Sequence, residues 1–158
     1  MILEIKKYPD PVLREECREA KKITEEIKNL SWDMVETMEK GQGIGLAAPQ
    51  VGKSERIIIV MLKEGPRIFI NPEIIKRTKE TEVMEEGCLS FPGLFLEIKR
   101  AKAVEIEALN DKGEKVQIKA NGLPARIFQH EIDHLRGILF IDRISKLKKL
   151  KLKLLGKI

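Results

Sequence analysis

Both histidines of this 158-residue chain lie in one short segment, Gln129-His130-Glu131-Ile132-Asp133-His134. Residues four positions apart share one face of a helix, so His130 and His134 can bind a single metal ion if this segment is helical. Glu131 would then lie beside the metal, where a carboxylate can take a proton from a bound water and pass it to a leaving group. This pattern is typical of a metallohydrolase helix, although histidines so spaced also occur as purely structural residues.

The size and hydropathy of the chain predict one domain spanning residues 1–158. Its hydrophobic fraction of 42% is ordinary for a globular protein of this length. No stretch approaches the roughly 20 apolar residues of a membrane span, and the N-terminus lacks the long apolar region of a signal peptide. We therefore expect a cytoplasmic protein that does not enter a membrane.

The N-terminal third combines a helix pattern with an unusual loop. Apolar residues at steps of three or four predict a core helix over residues 24–40, ended by Gly41. The following stretch, GQGIGLAAPQVG at 41–52, is too rich in Gly, Ala and Pro for regular structure. It is also too apolar for a solvated loop, so we expect it to lie buried.

Strand patterns dominate the middle of the chain. Residues 56–61 and 66–72 predict interior strands, and alternating residues on both sides of a polar turn predict a hairpin over 104–118. Pro124 near the start and Gly137 just after the end then frame a helix that carries the two histidines. The order of elements favours an α+β fold with mostly antiparallel strands packed around the metal-binding helix.

The end of the chain predicts a short basic helix. From Ser145 onward it reads SKLKKLKLKLLGKI, with six lysines and no acidic residue, within a net charge of +5. Leu147, Leu150 and Leu154 recur at helical spacing, and we expect them to dock on the core while the lysines stay solvated. An RNA-binding or membrane-binding role is the less favoured alternative.

A catalytic metal site commonly takes three protein ligands, and the chain has no third histidine. Metalloproteases with this helix motif place the third ligand downstream, as a Glu or as a His six residues after the second. Here no Glu follows His134, and the position six residues after His134 holds Phe140 instead of a histidine. Asp142 remains, but it is better explained as the partner of a cation such as Arg143. The metalloprotease pattern therefore fails at its third ligand.

Upstream, the segment EGCLS places a thiol beside a glycine at the end of a predicted strand. Cys88 would complete a Cys-His-His set with an open fourth position. The alternative is that Cys88 is a small buried hydrophobic residue. Cys17, in the charged run REECREA, has no metal-ligand neighbours and is interpreted as a structural or surface thiol.

Three segments then resemble one family, the peptide deformylases: GIGLAAPQ at 43–50, EGCLS at 86–90 and QHEIDH at 129–134. A fourth, YPDPVLR at 8–14, agrees with them, and the order and spacing fit over nearly the whole chain. The resemblance implies removal of the formyl group from the N-terminal formylmethionine of nascent proteins. It also implies a compact α+β domain with the metal helix buried among antiparallel strands.

The resemblance also implies the roles of individual residues. The metal ligands are Cys88, His130 and His134. Glu131 is the general acid and base, while Gln50 and the backbone N–H of Leu89 bind the formyl oxygen. The predicted substrate-binding residues are Gly43, Ile44, Gly45, Gln50, Glu86, Leu89, Leu123 and Ile127, with Met84 near the methionine pocket. Asp133 and Glu86 are candidate partners that orient the histidines.

The ligand set and the family resemblance predict different metals. A Cys-His-His set alone suggests zinc, although a thiolate suits several soft or borderline metals. The resemblance implies one iron(II) ion per chain, with activity also for nickel or cobalt and weak activity for zinc. We therefore expect iron(II), with zinc, nickel or cobalt in purified samples.

One departure from the family and two rival functions remain open. Many deformylases carry an arginine seven residues after the cysteine, where this chain has Phe95, so Arg100 is a candidate substrate contact instead. The resemblance implies formyl-Met nascent peptides as partners, ribosome association through residues 146–158, a monomer, and no DNA. The rivals are another metal-dependent amidase and, from the basic tail, a ribosomal or RNA-binding protein.

Overall fold

The computed structural model describes residues 1–158 and confirms the α+β class. The α-helices are α1 (Glu25–Lys40), α2 (Leu123–His134) and α3 (Lys146–Leu154). The strands are β1 (Gly45–Ala47), β2 (Ile57–Leu62), β3 (Gly65–Arg77), β4 (Thr81–Glu86), β5 (Leu96–Ala101), β6 (Ala103–Leu109) and β7 (Lys115–Asn121). All paired strands are antiparallel, and they form a five-stranded sheet in the order β1-β2-β3-β6-β7 and a separate hairpin of β4 and β5. None of the helices combines the length and hydropathy needed to cross a bilayer.

Helix α1 agrees with its predicted bounds. The Thr24 side chain accepts a hydrogen bond from the N–H of Ile27 at 3.2 Å, which caps the helix, and Gly41 is the C-cap. Met34 and Met38 are fully buried against one face of the five-stranded sheet. The predicted core helix is therefore confirmed.

Helix α2 covers the opposite face of the same sheet. Phe128 of α2 packs edge to face on Phe69 of β3, with ring centroids 4.9 Å apart. Strand β2 lies between the two helices: Ile57 and Ile59 point toward α1, whereas Ile58 and Val60 point toward α2. Burial on both faces explains why β2 reads as a continuous apolar run.

The segment 41–52 differs in part from its prediction. Residues 46–51 are buried, as expected, but the segment contains strand β1 and a short 3₁₀ turn at Ala48–Val51. Gly45 pairs with Val60 and Ala47 with Ile58, so β2 supplies hydrogen bonds that composition does not reveal. The prediction of no regular structure is therefore wrong.

Helix α3 also differs from its prediction. Leu147, Leu150 and Leu154 are 78%, 53% and 80% exposed, and Leu152 is the one leucine of this helix that is buried. The helix is held by the Ser145 cap and by the contacts of Leu152 with the neighbouring core. Its predicted leucine face is thus turned to solvent.

Asp142 pairs with a different cation from the one expected. It accepts hydrogen bonds from Arg14, with Nη2 at 3.1 Å, and from Lys149 Nζ, also at 3.1 Å. Arg143 instead donates to Asp133 at 2.7 and 3.0 Å. The prediction that Asp142 pairs with a cation is therefore confirmed, but Arg143 is not that cation, because the 3₁₀ turn that ends at Asp142 directs the two side chains to different neighbours.

Asp142→Asn is expected to lower the free energy of unfolding by about 1 kcal/mol at neutral pH. Burial raises the pKa of Asp142, but hydrogen bonds from Arg14, the N–H of Leu139 and Lys149 outweigh it and lower this pKa to about 2. A carboxylate with a lowered folded-state pKa stabilises the fold above its unfolded pKa and loses that effect as pH falls. Denaturant unfolding should therefore show the difference shrinking from neutral pH toward about pH 2. Glu64→Gln, at an exposed position, is the control, and a difference independent of pH would contradict the assignment.

Candidate active site

The three predicted metal ligands meet where the β4–β5 hairpin faces helix α2. Cys88 follows the end of β4, and His130 and His134 project from α2. The ligand atoms of these three residues all lie within 4.8 Å of one another, and Cys88 Sγ is 3.5 Å from His134 Nε2. One thiol and two imidazoles at this spacing fit a divalent metal with one open position.

Glu86 orients the first histidine. Its Oε1 lies 2.8 Å from His130 Nδ1. Burial raises the pKa of Glu86, but hydrogen bonds from His130 and Arg100 outweigh it and hold this pKa well below its ordinary range. The charged carboxylate therefore accepts the proton of Nδ1, which leaves the Nε2 lone pair of His130 available for a metal.

The remaining contacts of Glu86 change two predicted roles. Arg100 donates to both carboxylate oxygens at 3.0 Å, and Arg126 donates to Oε2 at 2.6 Å. The side chain of Glu86 is thus fully occupied, so only its main chain is available to a bound peptide. Arg100 is 5% exposed and also binds Asp133 at 2.6 Å. Its expected contact with substrate is therefore wrong, and Asp133 pairs with arginines instead of a histidine.

Glu131 is buried next to the ligand cluster. Burial raises the pKa of Glu131 to about 7. Its Oε2 atom is buried and has no hydrogen-bond partner in the protein, as is also true of His134 Nδ1. A carboxyl group with a pKa near neutrality and a free oxygen is suited to accept and return a proton.

The close approach of Gly45 fixes the position of Glu131. A Cβ at residue 45 would lie 2.5 Å from Glu131 Oε1 and 2.8 Å from Ile127 Cγ2. Gly45→Ala should therefore displace the carboxylate and lower kcat by about 10²-fold. Gly41→Ala is the matched control, because its Cβ would meet Leu89 at 3.4 Å and its φ is −79°. Steady-state kinetics on a formyl-Met peptide measure both variants, and equal kcat values would contradict this role of Gly45.

Gln50 and Leu89 place hydrogen-bond donors beside the thiol. Gln50 Oε1 accepts from the N–H of Ala47 at 3.0 Å, which turns its NH₂ group toward Ser90 Oγ at 3.2 Å and Cys88 Sγ at 3.4 Å. The N–H of Leu89 makes no hydrogen bond with the main chain. The Gln50 donor therefore lies next to the ligand cluster, and the Leu89 N–H follows directly after Cys88 in the chain.

A cleft of about 670 Å³ opens over this cluster. Its walls include all predicted substrate-binding residues: Gly43, Ile44, Gly45, Gln50, Glu86, Leu89, Leu123 and Ile127. Ile44 and Leu123 are about half exposed at the mouth, whereas Ile127 is buried. Phe95 also lines the cleft and packs over Gly87, where a Cβ would come within 2.9 Å of its ring. Met84 is not among the lining residues.

Sequence reasoning missed Arg126. It is 4% exposed and donates to the carbonyls of Glu82 and Ile98 as well as to Glu86. The available signal was its position four residues before His130, which places it on the ligand face of the helix. An arginine in that place is buried only when it is paired.

Comparison with known proteins agrees with this geometry. The family model described as polypeptide deformylase matches residues 2–150. The peptide deformylase of Thermotoga maritima is 48% identical over 149 residues, covering 94% of this chain and 91% of that protein. The crystal structure of the peptide deformylase from Ehrlichia chaffeensis has a TM-score of 0.92 at 37% identity, covering 99% of this chain and 96% of that one. The Thermotoga maritima crystal structure has a TM-score of 0.89, covering 92% and 99%.

The match extends over the cleft and the elements that hold it, and it is to a family of metal-dependent hydrolases. Deformylases act on nascent peptides that begin with formylmethionine. This chain belongs to the polypeptide deformylase family.

Proposed function

We propose that Cys88, His130 and His134 hold one divalent metal ion per chain, and that Glu131 is the general acid and base of deformylation. The observation that carries this proposal is the convergence of the three ligand atoms within 4.8 Å, beside a buried carboxyl group with one free oxygen. When bound, a divalent metal lowers the pKa of a coordinated water, so that hydroxide is available near neutral pH.

Glu131 moves the proton in this scheme. Its free Oε2 takes a proton from the water that attacks the formyl carbon, and its raised pKa lets it hold that proton at neutral pH. The same oxygen then delivers the proton to the amide nitrogen as the C–N bond breaks. The products are formate and a peptide with a free N-terminus.

Gln50 and Leu89 stabilise the charge that builds on the formyl oxygen. The Gln50 amide is held with its NH₂ group toward the thiol by the N–H of Ala47, so it needs no reorientation during the reaction. The free N–H of Leu89 supplies the second donor. Loss of one such donor typically lowers the rate by about 10²–10³-fold.

Strand β1 provides a surface for the peptide main chain. It is the edge strand of the five-stranded sheet, paired with β2 on one side only. A substrate in extended form can add to the open edge beside Gly43, Ile44 and Gly45. The methionine side chain would enter the apolar part of the cleft near Leu123 and Ile127.

The mouth of the cleft favours apolar residues after the methionine. Ile44, Leu123 and Phe95 are 49%, 47% and 61% exposed there. By the family resemblance, Phe95 occupies the place where many deformylases carry an arginine. Burying these side chains under a peptide would add apolar contact area. Formyl-Met-Leu peptides should therefore have a lower KM than formyl-Met-Lys peptides, and equal KM values would contradict this preference.

Iron(II) is the metal we propose. The Cys-His-His donor set accepts zinc, nickel and cobalt as well, so the choice of iron rests on the resemblance to the family. The deciding experiment measures formate release from a formyl-Met peptide under anaerobic conditions, with iron(II)-loaded and zinc-loaded protein compared. We expect rapid release with iron and slow release with zinc. No formate with either metal would overturn the proposed function, and full activity with zinc alone would overturn the choice of iron.

We also propose that the enzyme is a cytoplasmic monomer and that helix α3 binds the ribosome. Its lysines and its exposed Leu147, Leu150 and Leu154 offer cationic and apolar groups on one short element. Replacing both Lys148 and Lys151 by Glu should weaken co-sedimentation with ribosomes at low salt and leave activity on short peptides unchanged. The control makes the same charge change at Lys112, on the β6–β7 turn, and at Lys115, the first residue of β7. Equal binding by the two double variants would remove α3 from the interaction.

A further inference from the structure

The thiol and the two imidazoles of the site belong to separate layers of the fold. Cys88 follows strand β4, and the β4–β5 hairpin is not part of the five-stranded sheet. His130 and His134 lie on α2, which packs on that larger sheet. No strand ladder therefore joins the thiol to the imidazoles, and contacts between α2 and the hairpin help to set the distance between them.

Gln129, the first residue of the QHEIDH motif, makes one of these contacts. Its Oε1 accepts from the N–H of Ala101 at 3.0 Å, and its Nε2 donates to the carbonyl of Ala101 at 2.9 Å. Nε2 also donates a second hydrogen bond, to the carbonyl of Ala125 at 3.0 Å. The side chain thus binds the end of β5 as a neighbouring strand would, although it comes from a helix. The residue before Ala101 is Arg100, which holds Glu86.

Arg126 makes the second contact, one turn earlier on α2. It donates to the carbonyl of Glu82 in β4 at 2.7 Å and to the carbonyl of Ile98 in β5 at 2.7 Å. Its third partner is Glu86 Oε2 at 2.6 Å. Both strands of the hairpin are therefore attached to α2 by one guanidinium group. Glu86 lies two residues before Cys88 and also binds His130, so this attachment ends at the ligands themselves.

We propose that Gln129 and Arg126 are positioning residues that set the distance between the Cys88 thiol and the two histidines. The inference rests on the ligand set proposed above. Neither residue is one of the three proposed ligands, and the guanidinium group of Arg126, which lines the cleft, is already bonded to the hairpin. Each acts by fastening a different part of the hairpin, Gln129 the end of β5 and Arg126 the middle of both strands.

Gln129→Met tests the inference, because it keeps the side-chain length and removes all three hydrogen bonds. The matched control is Asn71→Gly. Asn71 binds the N–H and carbonyl of Ala20 at 2.8 Å each, in the same two-bond arrangement, and glycine suits its φ of 52°. Asn71 is not among the residues of the cleft. Each variant therefore loses a pair of hydrogen bonds between a side-chain amide and one backbone residue, but only Gln129 makes this pair beside the ligands.

The readouts are the rate of cobalt release to a chelator and the thiolate-to-cobalt charge-transfer absorption of the cobalt(II)-loaded protein. Gln129→Met should release cobalt about 10-fold faster or more and show a weaker or shifted thiolate band. Asn71→Gly should have the wild-type rate of cobalt release and the wild-type thiolate band, even if its melting temperature falls as much as that of Gln129→Met. Arg126→Lys keeps the charge beside Glu86 but loses the forked reach to both strands, and it should also release cobalt faster.

The outcomes separate this inference from the proposed function. Wild-type release rates in both Gln129→Met and Arg126→Lys would overturn it, as would equally fast release by Asn71→Gly. If Gln129→Met does not fold, Arg126→Lys decides between the same two results. A wild-type protein that binds cobalt without a thiolate band would overturn the ligand set, and with it the positioning role.

Discussion

Glu131→Gln is expected to lower formate release by about 10²–10⁴-fold while metal content stays at the wild-type level. Glutamine keeps the shape of the side chain but cannot take the proton of the attacking water. Glu131 is not one of the three converging ligands, so its replacement leaves the thiol and both imidazoles in place. The substitution removes the proton-accepting carboxylate, whose buried Oε2 atom has no hydrogen-bond partner in the protein.

Two measurements are needed for this result, single-turnover formate release and metal content of the same sample. Glu97→Gln, at an exposed position of β5, controls for the loss of one negative charge and should retain activity. Unchanged turnover in Glu131→Gln would remove this residue from the mechanism. Loss of metal together with activity would instead assign Glu131 to the ligand set.

Cys88→Ala is expected to weaken metal binding more than about 100-fold. Losing a residue that only hydrogen-bonds to a metal ligand costs up to about 100-fold, and losing a ligand itself should cost more. The variant retains both histidines and the Glu86 contact, so it measures the contribution of the thiolate alone. Metal content after gel filtration through metal-free buffer gives the result. Full occupancy would show that another residue completes the site.

Cys17→Ala is the matched control for that experiment. Cys17 is 7% exposed, and burial raises the pKa of its thiol to about 11. It therefore stays protonated at neutral pH and cannot act as a thiolate ligand. The variant should bind metal normally, although it loses core packing, and a fall in metal content comparable to that of Cys88→Ala would contradict the assignment.

The parts of the fold that sequence predicted were those with a strong local signal. The periodicity and caps of α1 agreed with the structure, as did the alternating strands β6 and β7 and the helical placement of His130 and His134. Strand β1 was missed because its three residues owe their conformation to pairing with β2, a partner separated from it in sequence.

The polar residues around the ligands were harder to place. Arg100 was expected to contact the substrate, and Arg126 was not singled out at all. Arginine is seldom buried without a partner, and the partner of both, Glu86, lies far along the chain. The leucines of α3 were assigned to the core from their spacing. Spacing predicts which residues share a face, but only tertiary contacts determine whether that face is covered.

The division of the proposed ligands between two layers would also make the metal part of the folding equilibrium. An ion held by Cys88 and by the histidines of α2 would cross-link the hairpin to the main sheet, and the unfolded chain offers no such preformed site. Under that linkage, free metal at 100 times its dissociation constant adds about 2.7 kcal/mol to the free energy of unfolding. Cellular metal supply would then govern how long the enzyme survives as well as how fast it works.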